Sequence, residues 1–183
     1  PARGETRPTQ NAPMDQEALH TALEAAVASG NLLASSYAHI RFLLGSSRNP
    51  VYHSSVAELV GSRNWKELDD RFYKRLAFGT GGLRGRTIGR TVTAAELGAP
   101  QPNERPEFPC VGTNAMNTYN VNRATRGLIA YVRKWMAAEG LPGKPRLLFC
   151  HDTRHFSRDF AELCARIGMD LGCEVFLFDS HRA

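Results

Sequence analysis

PRLLFCHDTRHFSRDFAELCARIGMDLGCEVFLF, residues 145–178, is the stretch that decides the fold. Two short apolar runs, residues 147–150 and 174–178, flank a segment in which Phe160, Leu163, Ile167 and Leu171 recur at helical spacing and Gly172 stops the helix. Ser157 stands where a helix N-cap is expected. Strand, loop, helix and strand within about thirty residues is a βαβ unit, which joins parallel strands through a right-handed crossover. The carboxy-terminal half therefore reads as α/β. A parallel sheet is normally buried on both faces and has about four to six strands, and only two are legible here, so the domain is expected to be incomplete.

Upstream, Val121, Ala124, Leu128, Val132 and Trp135 predict one apolar face of a long helix over residues 118–139, with Gly140 beyond its end and Pro142 and Pro145 forbidding its continuation. The Pro-rich residues 99–109 read as a surface loop. Asn64, with Glu67 three residues on, starts a helix carrying Trp65, Leu68, Phe72 and Leu76. That helix runs into Phe78-Gly79-Thr80-Gly81-Gly82-Leu83-Arg84-Gly85-Arg86, a flexible loop with unusual backbone angles or a close approach to a ligand. Two further helices are expected at residues 15–28, ended by Gly30, and 32–44, capped by Asn31 and stopped by Gly45. The organisation expected is a disordered lead-in at 1–13, a helical extension at 14–55, and a partial α/β/α domain at 56–183. Its mixed or parallel sheet is flanked by helices.

The chain is 42% hydrophobic and 22% charged, the composition of a folded globular protein. It carries a formal charge of +5, and 19 of its 23 cationic residues are Arg. The guanidinium fork matches phosphate and carboxylate oxygens two at a time, so the surplus fits an anionic ligand; a solvated basic surface fits it equally. Cys110, Cys150, Cys164 and Cys173 form no C-x-x-C pair, and three lie in apolar runs, which predicts free thiols in a reducing compartment. No run approaches the roughly 20 apolar residues of a membrane span, and the first residues lack the apolar segment of a secretory signal. A cytoplasmic protein with no membrane partner is expected.

Two segments could carry chemistry. The glycine loop is no dinucleotide fingerprint, because the sixth position from Gly79 is Arg84 and a helix precedes it; no Lys-Ser/Thr pair closes it as a P-loop. A purely structural turn and an anion contact through its N–H groups and arginines both remain open. The second segment, residues 151–157, follows a strand, where α/β proteins place their sites. His151, Asp152 and His155 do not share the helical face that a metal site would use, and a Ser-His-Asp triad is rarely so compact. A loop held by an Asp152–Arg154 pair, with Ser157 capping the helix, is the expectation; no metal ligands are assigned.

These residues resemble the alpha-D-phosphohexomutases, the family of phosphoglucomutases and phosphomannomutases. Residues 78–85 match its Phe-Gly-Thr-x-Gly-Leu-Arg-Gly loop, residues 114–132 its Asn-x-Met-Asn…Ala-Thr-x-Gly helix, and Asp152-x-Arg154-x-x-Ser157 its strand-to-helix turn. The motifs stand in the family's order and the resemblance covers residues 56–179; His151 follows Cys150 where glycine is frequent. It implies domain I of a four-domain enzyme that moves phosphate between the 1- and 6-hydroxyls of a hexose phosphate through a phosphoserine, with a hexose 1,6-bisphosphate intermediate or activator. It further implies Mg2+ on an Asp-x-Asp-x-Asp loop, and the remaining domains as partners.

By the same resemblance the glycine loop contacts phosphate through Thr80, Gly81 and Arg84, while Asp152, Arg154 and Ser157 support a neighbouring loop. Neither the Thr-Ala-Ser-His-Asn-Pro serine loop nor the metal loop occurs in these 183 residues, so no catalytic residue is expected in the chain and it is expected to be inactive alone. The competing reading is a basic module for RNA or another polyanion. It lacks repeated Arg-Gly units and interleaved aromatics, so no nucleic-acid partner is expected.

Overall fold

The computed structural model describes residues 14–181; the expected lead-in at 1–13 lies outside them. Four helices open the chain: α1 (Gln16–Ala28), α2 (Ala34–Ser46), α3 (Pro50–Gly61) and α4 (Trp65–Phe72). They share one core in which Leu19, Leu23, Ile40, Val56, Leu68 and Phe72 are fully buried, joined by Val111 from far along the chain. Asp15 caps α1 through the Ala18 N–H, and Asn49 caps α3 through the Val51 N–H, with Pro50 at the first helical position, where its missing N–H costs nothing. The sequence reading assigned nothing to α3, and the expected junction at 55/56 falls inside it.

Two helix ends differ from expectation. Asn31 does not cap α2: it donates to Ser29 Oγ, and the helix starts two residues later at a Leu33 N-cap without a side-chain bond. Asp69 of α4 serves instead, accepting from the Leu33 N–H at 3.0 Å and from Ser36 Oγ at 2.6 Å. Gly45 lies within α2 rather than stopping it. Asn64 does cap α4, but Glu67 does not reach back, because its carboxylate is held by Arg71 at 2.8 Å; the helix ends at Phe72, short of Leu76.

The glycine stretch is a minimal hairpin and not a loose loop, with β1 (Phe78–Gly79) pairing antiparallel to β2 (Gly82–Leu83). A short α5 (Ala94–Leu97) follows, started by a complete Thr93/Glu96 capping box, and residues 98–117 return to α6 (Thr118–Ala138).

The βαβ unit is present as β3 (Arg146–Phe149), α7 (Ser157–Asp170) and β4 (Glu174–Leu177), with β3 and β4 parallel and Leu147 opposite Val175. Leu147, Phe149 and Val175 face α7, where they meet Ile167, Cys173 and Ile129 of α6. The other sheet face carries exposed Leu148 and Phe176. The chain is thus α/β with a helical amino-terminal stretch.

The buried face of α6 is not the one expected. Asn120, Val121, Thr125 and Ile129 are buried, while Leu128, Tyr131 and Trp135 are exposed. α7 packs along the 121/125/129 stripe, and Thr125 meets Cys164 of α7 at 3.1 Å. Ser157 is not an N-cap either. Phe156 holds that position in the left-handed region (φ 65°) with its ring buried against Val121 and Phe160, and the Ser157 hydroxyl accepts from the Asp152 N–H at 3.1 Å.

Candidate functional site: a basic pocket under the glycine hairpin

Three segments meet beside the hairpin: the end of α4, residues 84–87 leaving β2, and the turn at residues 110–117. The turn is built by asparagines. Asn117 Nδ2 donates to the carbonyls of Cys110 and Gly112, each at 2.8 Å, and Asn120 Nδ2 donates to those of Thr113 and Ala115. Asn114 ties the turn to α4, its N–H donating to the Arg71 carbonyl and its side chain to that of Asp70. On the other side the Met116 N–H donates to the Arg86 carbonyl at 2.9 Å and the Cys110 N–H to that of Thr87 at 2.8 Å. Gly85 is required by this contact, since a Cβ there would come within 2.9 Å of the Met116 backbone nitrogen.

Beneath lies a buried ionic cluster. Arg71, 2% exposed, binds Glu67 on its own helix at 2.8 Å and Glu96 of α5 at 2.5 Å. Glu96, 1% exposed, also accepts from Ser55 Oγ of α3 and from the Val111 N–H. Every partner of this carboxylate is internal, as a buried charge requires. The cluster therefore locks α3, α4, α5 and the start of the asparagine turn to one another.

The segments enclose a pocket of about 210 Å³, lined among others by Asp70, Lys74, Arg84, Arg86, Cys110 and Asn114. Arg84 is exposed and its guanidinium folds over Gly81, where an added Cβ would overlap it; no hydrogen bond or ion pair holds it among the described residues. The Lys74 carbonyl accepts from Thr113 Oγ1 at 2.8 Å, and among the described residues its ammonium has only a cation–π contact with Tyr73, at 5.0 Å. Arg86 bonds Asp70 at 2.6 Å and stands 3.8 Å from Glu67. Cys110 offers no nucleophile at neutral pH: burial pushes its thiol up to about 12, against the pull of neighbouring Arg71. What the pocket can do is receive an anion, since Arg71, Lys74, Arg84 and Arg86 line it with Asp70 as the one carboxylate among the lining residues.

Of the expected phosphate contacts, Arg84 lines this pocket, while Thr80 and Gly81 form the turn between β1 and β2, outside its walls. Lys74 and Asp70 went unread as site residues; their signal was position alone, at the end of the helix that feeds the glycine loop. Asp152, Arg154 and Ser157 form a separate turn after β3. Arg154 Nε donates to Asp152 Oδ2 at 2.7 Å and its N–H to Oδ1 at 3.0 Å. The guanidinium first, and then the backbone N–H, hold the Asp152 carboxyl well below the usual carboxylate range. Core contacts of Phe156 and Phe160 with Met116 and Ile88 connect this turn to the hairpin region.

Among the described residues no three His, Cys, Asp or Glu side chains gather as a metal site. None of the described residues is assigned as a Mg2+ ligand. No helix of the described residues is long and apolar enough to cross a membrane.

The α/β unit thus stands beside a cation-lined pocket under a glycine hairpin. Residues 110–182 match the family model for the phosphoglucomutase/phosphomannomutase alpha/beta/alpha domain I. Over 128 residues the chain is 30% identical to the phosphoribomutase of Saccharomyces cerevisiae, covering 70% of this chain and 16% of that protein. Over 129 residues it is 25% identical to the phosphoglucomutase of Staphylococcus epidermidis, covering 70% of this chain and 18% of that one. No solved structure matches. Residues 110–182 are thus of the phosphoglucomutase/phosphomannomutase domain I type, and the chain spans less than a fifth of the length of these relatives.

Proposed function

We propose that this chain supplies the domain I phosphate contact of a phosphosugar mutase, in which phosphate passes between a serine and the 1- and 6-hydroxyls of a hexose phosphate. The observation that carries the reading is the unpaired Arg84 guanidinium at the mouth of a pocket also lined by Lys74 and Arg86. Phosphoryl transfer spreads negative charge over the equatorial oxygens, so its catalysis rests on positioning and on cations preorganised around the phosphate. In this reading Arg84 swings from Gly81 to the phosphate and supplies two parallel N–H donors, with Thr80 and the Gly81 backbone at the turn beside it. Asp152, Arg154 and Ser157 keep the neighbouring strand-end turn in shape. The serine loop, the Mg2+ loop and the remaining domains belong to the complete enzyme, and a hexose 1,6-bisphosphate is its intermediate or activator. The phosphoribomutase relatives make a pentose phosphate the alternative substrate.

The four cysteines are free, which supports a reducing, cytoplasmic setting. The pocket's concavity favours a small phosphate over an extended polyanion, which would need cations tracking along a groove. The 183 residues alone are expected to convert no glucose 1-phosphate, having no serine loop to accept phosphate.

The test is Arg84→Ala in the complete enzyme. Loss of one preorganised donor is expected to lower kcat about 100- to 1000-fold, with KM and melting temperature nearly unchanged and Arg84→Lys in between. A destabilised but fully active Arg84→Ala enzyme would show that Arg84 serves the loop and not the phosphate.

A further inference from the structure

Arg86 lines the same pocket as Arg84, and its circumstances differ. Its Nη2 is bonded to Asp70 at 2.6 Å, which orients the guanidinium. Its Nη1 is shielded from solvent without a hydrogen-bond partner, 3.8 Å from Glu67 Oε1. Glu67 meets it as a long ion pair and not as a hydrogen bond, since the same oxygen already accepts from Arg71 at 2.8 Å and from the Arg90 N–H at 3.1 Å. A guanidinium with an unmet donor is out of balance at rest. The charges agree: Arg71, Lys74, Arg84 and Arg86 bring four positive charges to the pocket and its underlying cluster, and Glu67, Asp70 and Glu96 bring three negative ones, which leaves one positive charge in excess.

We propose that Arg86 is a second phosphate-binding guanidinium, held by Asp70 in the empty pocket and shared with the phosphate when a phosphate monoester dianion enters. Resting on the reading of Arg84 as a phosphate contact, this makes the pocket a two-arginine seat. Asp70 then acts as an internal competitor: it keeps Arg86 oriented and lowers the pocket's affinity for anions. The dianion could be a sugar phosphate or a phosphoserine side chain, which present the same oxygens.

The 183-residue chain is titrated with inorganic phosphate, followed by NMR of the arginine Nε–H resonances, and then with glucose 6-phosphate and O-phosphoserine to identify which source the pocket prefers. Arg86→Gln is expected to weaken phosphate binding about 10- to 100-fold, and Arg86→Lys less, because it keeps the charge but not the fork. Asp70→Asn is expected to tighten binding about fivefold, a gain that a merely structural pair would not produce. Unchanged phosphate affinity in folded Arg86→Gln, alongside weakening in Arg84→Gln, overturns this inference and leaves the proposed function standing. Should Arg86→Gln fail to fold, Asp70→Asn decides, and unchanged or weaker binding overturns the proposal. No effect of Arg84→Gln, or no binding by the unaltered chain at tens of millimolar phosphate, overturns both.

Discussion

Gly81 and Gly82 are neighbours in the hairpin, yet their backbones make opposite demands. Gly82 has φ 90° and open space around its Cα, whereas at Gly81 the obstacle is the mobile end of Arg84. Gly82→Ala is therefore expected to cost about 1–2 kcal/mol from backbone strain. Gly81→Ala should leave stability nearly unchanged while displacing the Arg84 guanidinium. Thermal melts of the two variants check this, and an equal loss in both would show that the hairpin tolerates no side chain at all. Asp152 makes a second prediction. Its folded pKa is depressed by Arg154, so the Asp152–Arg154 pairing should be complete above the ordinary carboxylate pKa of about 3.9 and be lost only as pH falls below it. In an NMR titration the Asp152 carboxyl should have its midpoint well below that value, and Arg154→Ala should raise it only part of the way back, because the backbone N–H of residue 154 still donates to it. A normal midpoint in the unaltered chain would mean that the pair does not persist in solution.

Helix starts in this chain are set from two sources, and only one is local. Asp15, Asn49, Asn64, Thr93 and Asn117 cap the helices they precede, a signal carried by residue type and spacing. α2 borrows its cap from Asp69, 36 residues away from Leu33, and no spacing rule reaches that far. Asp69→Ala should lose both the Leu33 and Ser36 bonds, about 1–2 kcal/mol, with hydrogen exchange accelerated first at the amino-terminal turn of α2. Exchange unchanged in that turn would show the cap to be immaterial. α6 illustrates the other limit. Its sequence has an apolar stripe at 124, 128 and 135 as well as a mixed one at 121, 125 and 129, and the helical period alone does not rank them. Thr125 made the second stripe look polar, but its hydroxyl bonds the Val121 carbonyl at 2.8 Å, so it can be buried against α7.

At the scale of the whole molecule, the Arg71 cluster joins the helical stretch to the segments that frame the pocket. Arg71→Met should destabilise the fold by about 3–5 kcal/mol, because it strands Glu67 and Glu96 as buried, unpaired carboxylates. Combining it with Glu67→Gln and Glu96→Gln should recover part of that loss, since the stranded charge is then removed. Chemical denaturation of the single and triple variants measures both effects; a single variant losing less than about 1 kcal/mol would mean that water reaches the cluster. The coupling also has a functional side. Two of the segments that frame the pocket, residues 84–87 and 110–117, are joined by residues 88–109, and Glu96 within that stretch is fastened to Arg71.

The sequence by itself determined the βαβ unit, the helices α1, α2, α4, α6 and α7 to within a few residues, and the glycine motif that brought Arg84 forward. Those signals are local: apolar period, cap residues and glycine spacing act within one or two turns of chain. The missed α3 had its Asn49-Pro50 start in plain view and an apolar stripe at Tyr52, Val56, Leu59 and Val60, whereas its buried Ser55 is explained only by distant Glu96 and Arg71. Tertiary structure alone decided that Ser157 serves the Asp152 turn and that Asp69 caps a distant helix. It also decided that Lys74, Arg84 and Arg86 face one pocket across Asp70. Each of those outcomes depends on which charges and donors meet after the chain has folded back on itself, and a buried charge or an unmet donor is satisfied by whatever group packing brings within about 3 Å, however distant in sequence.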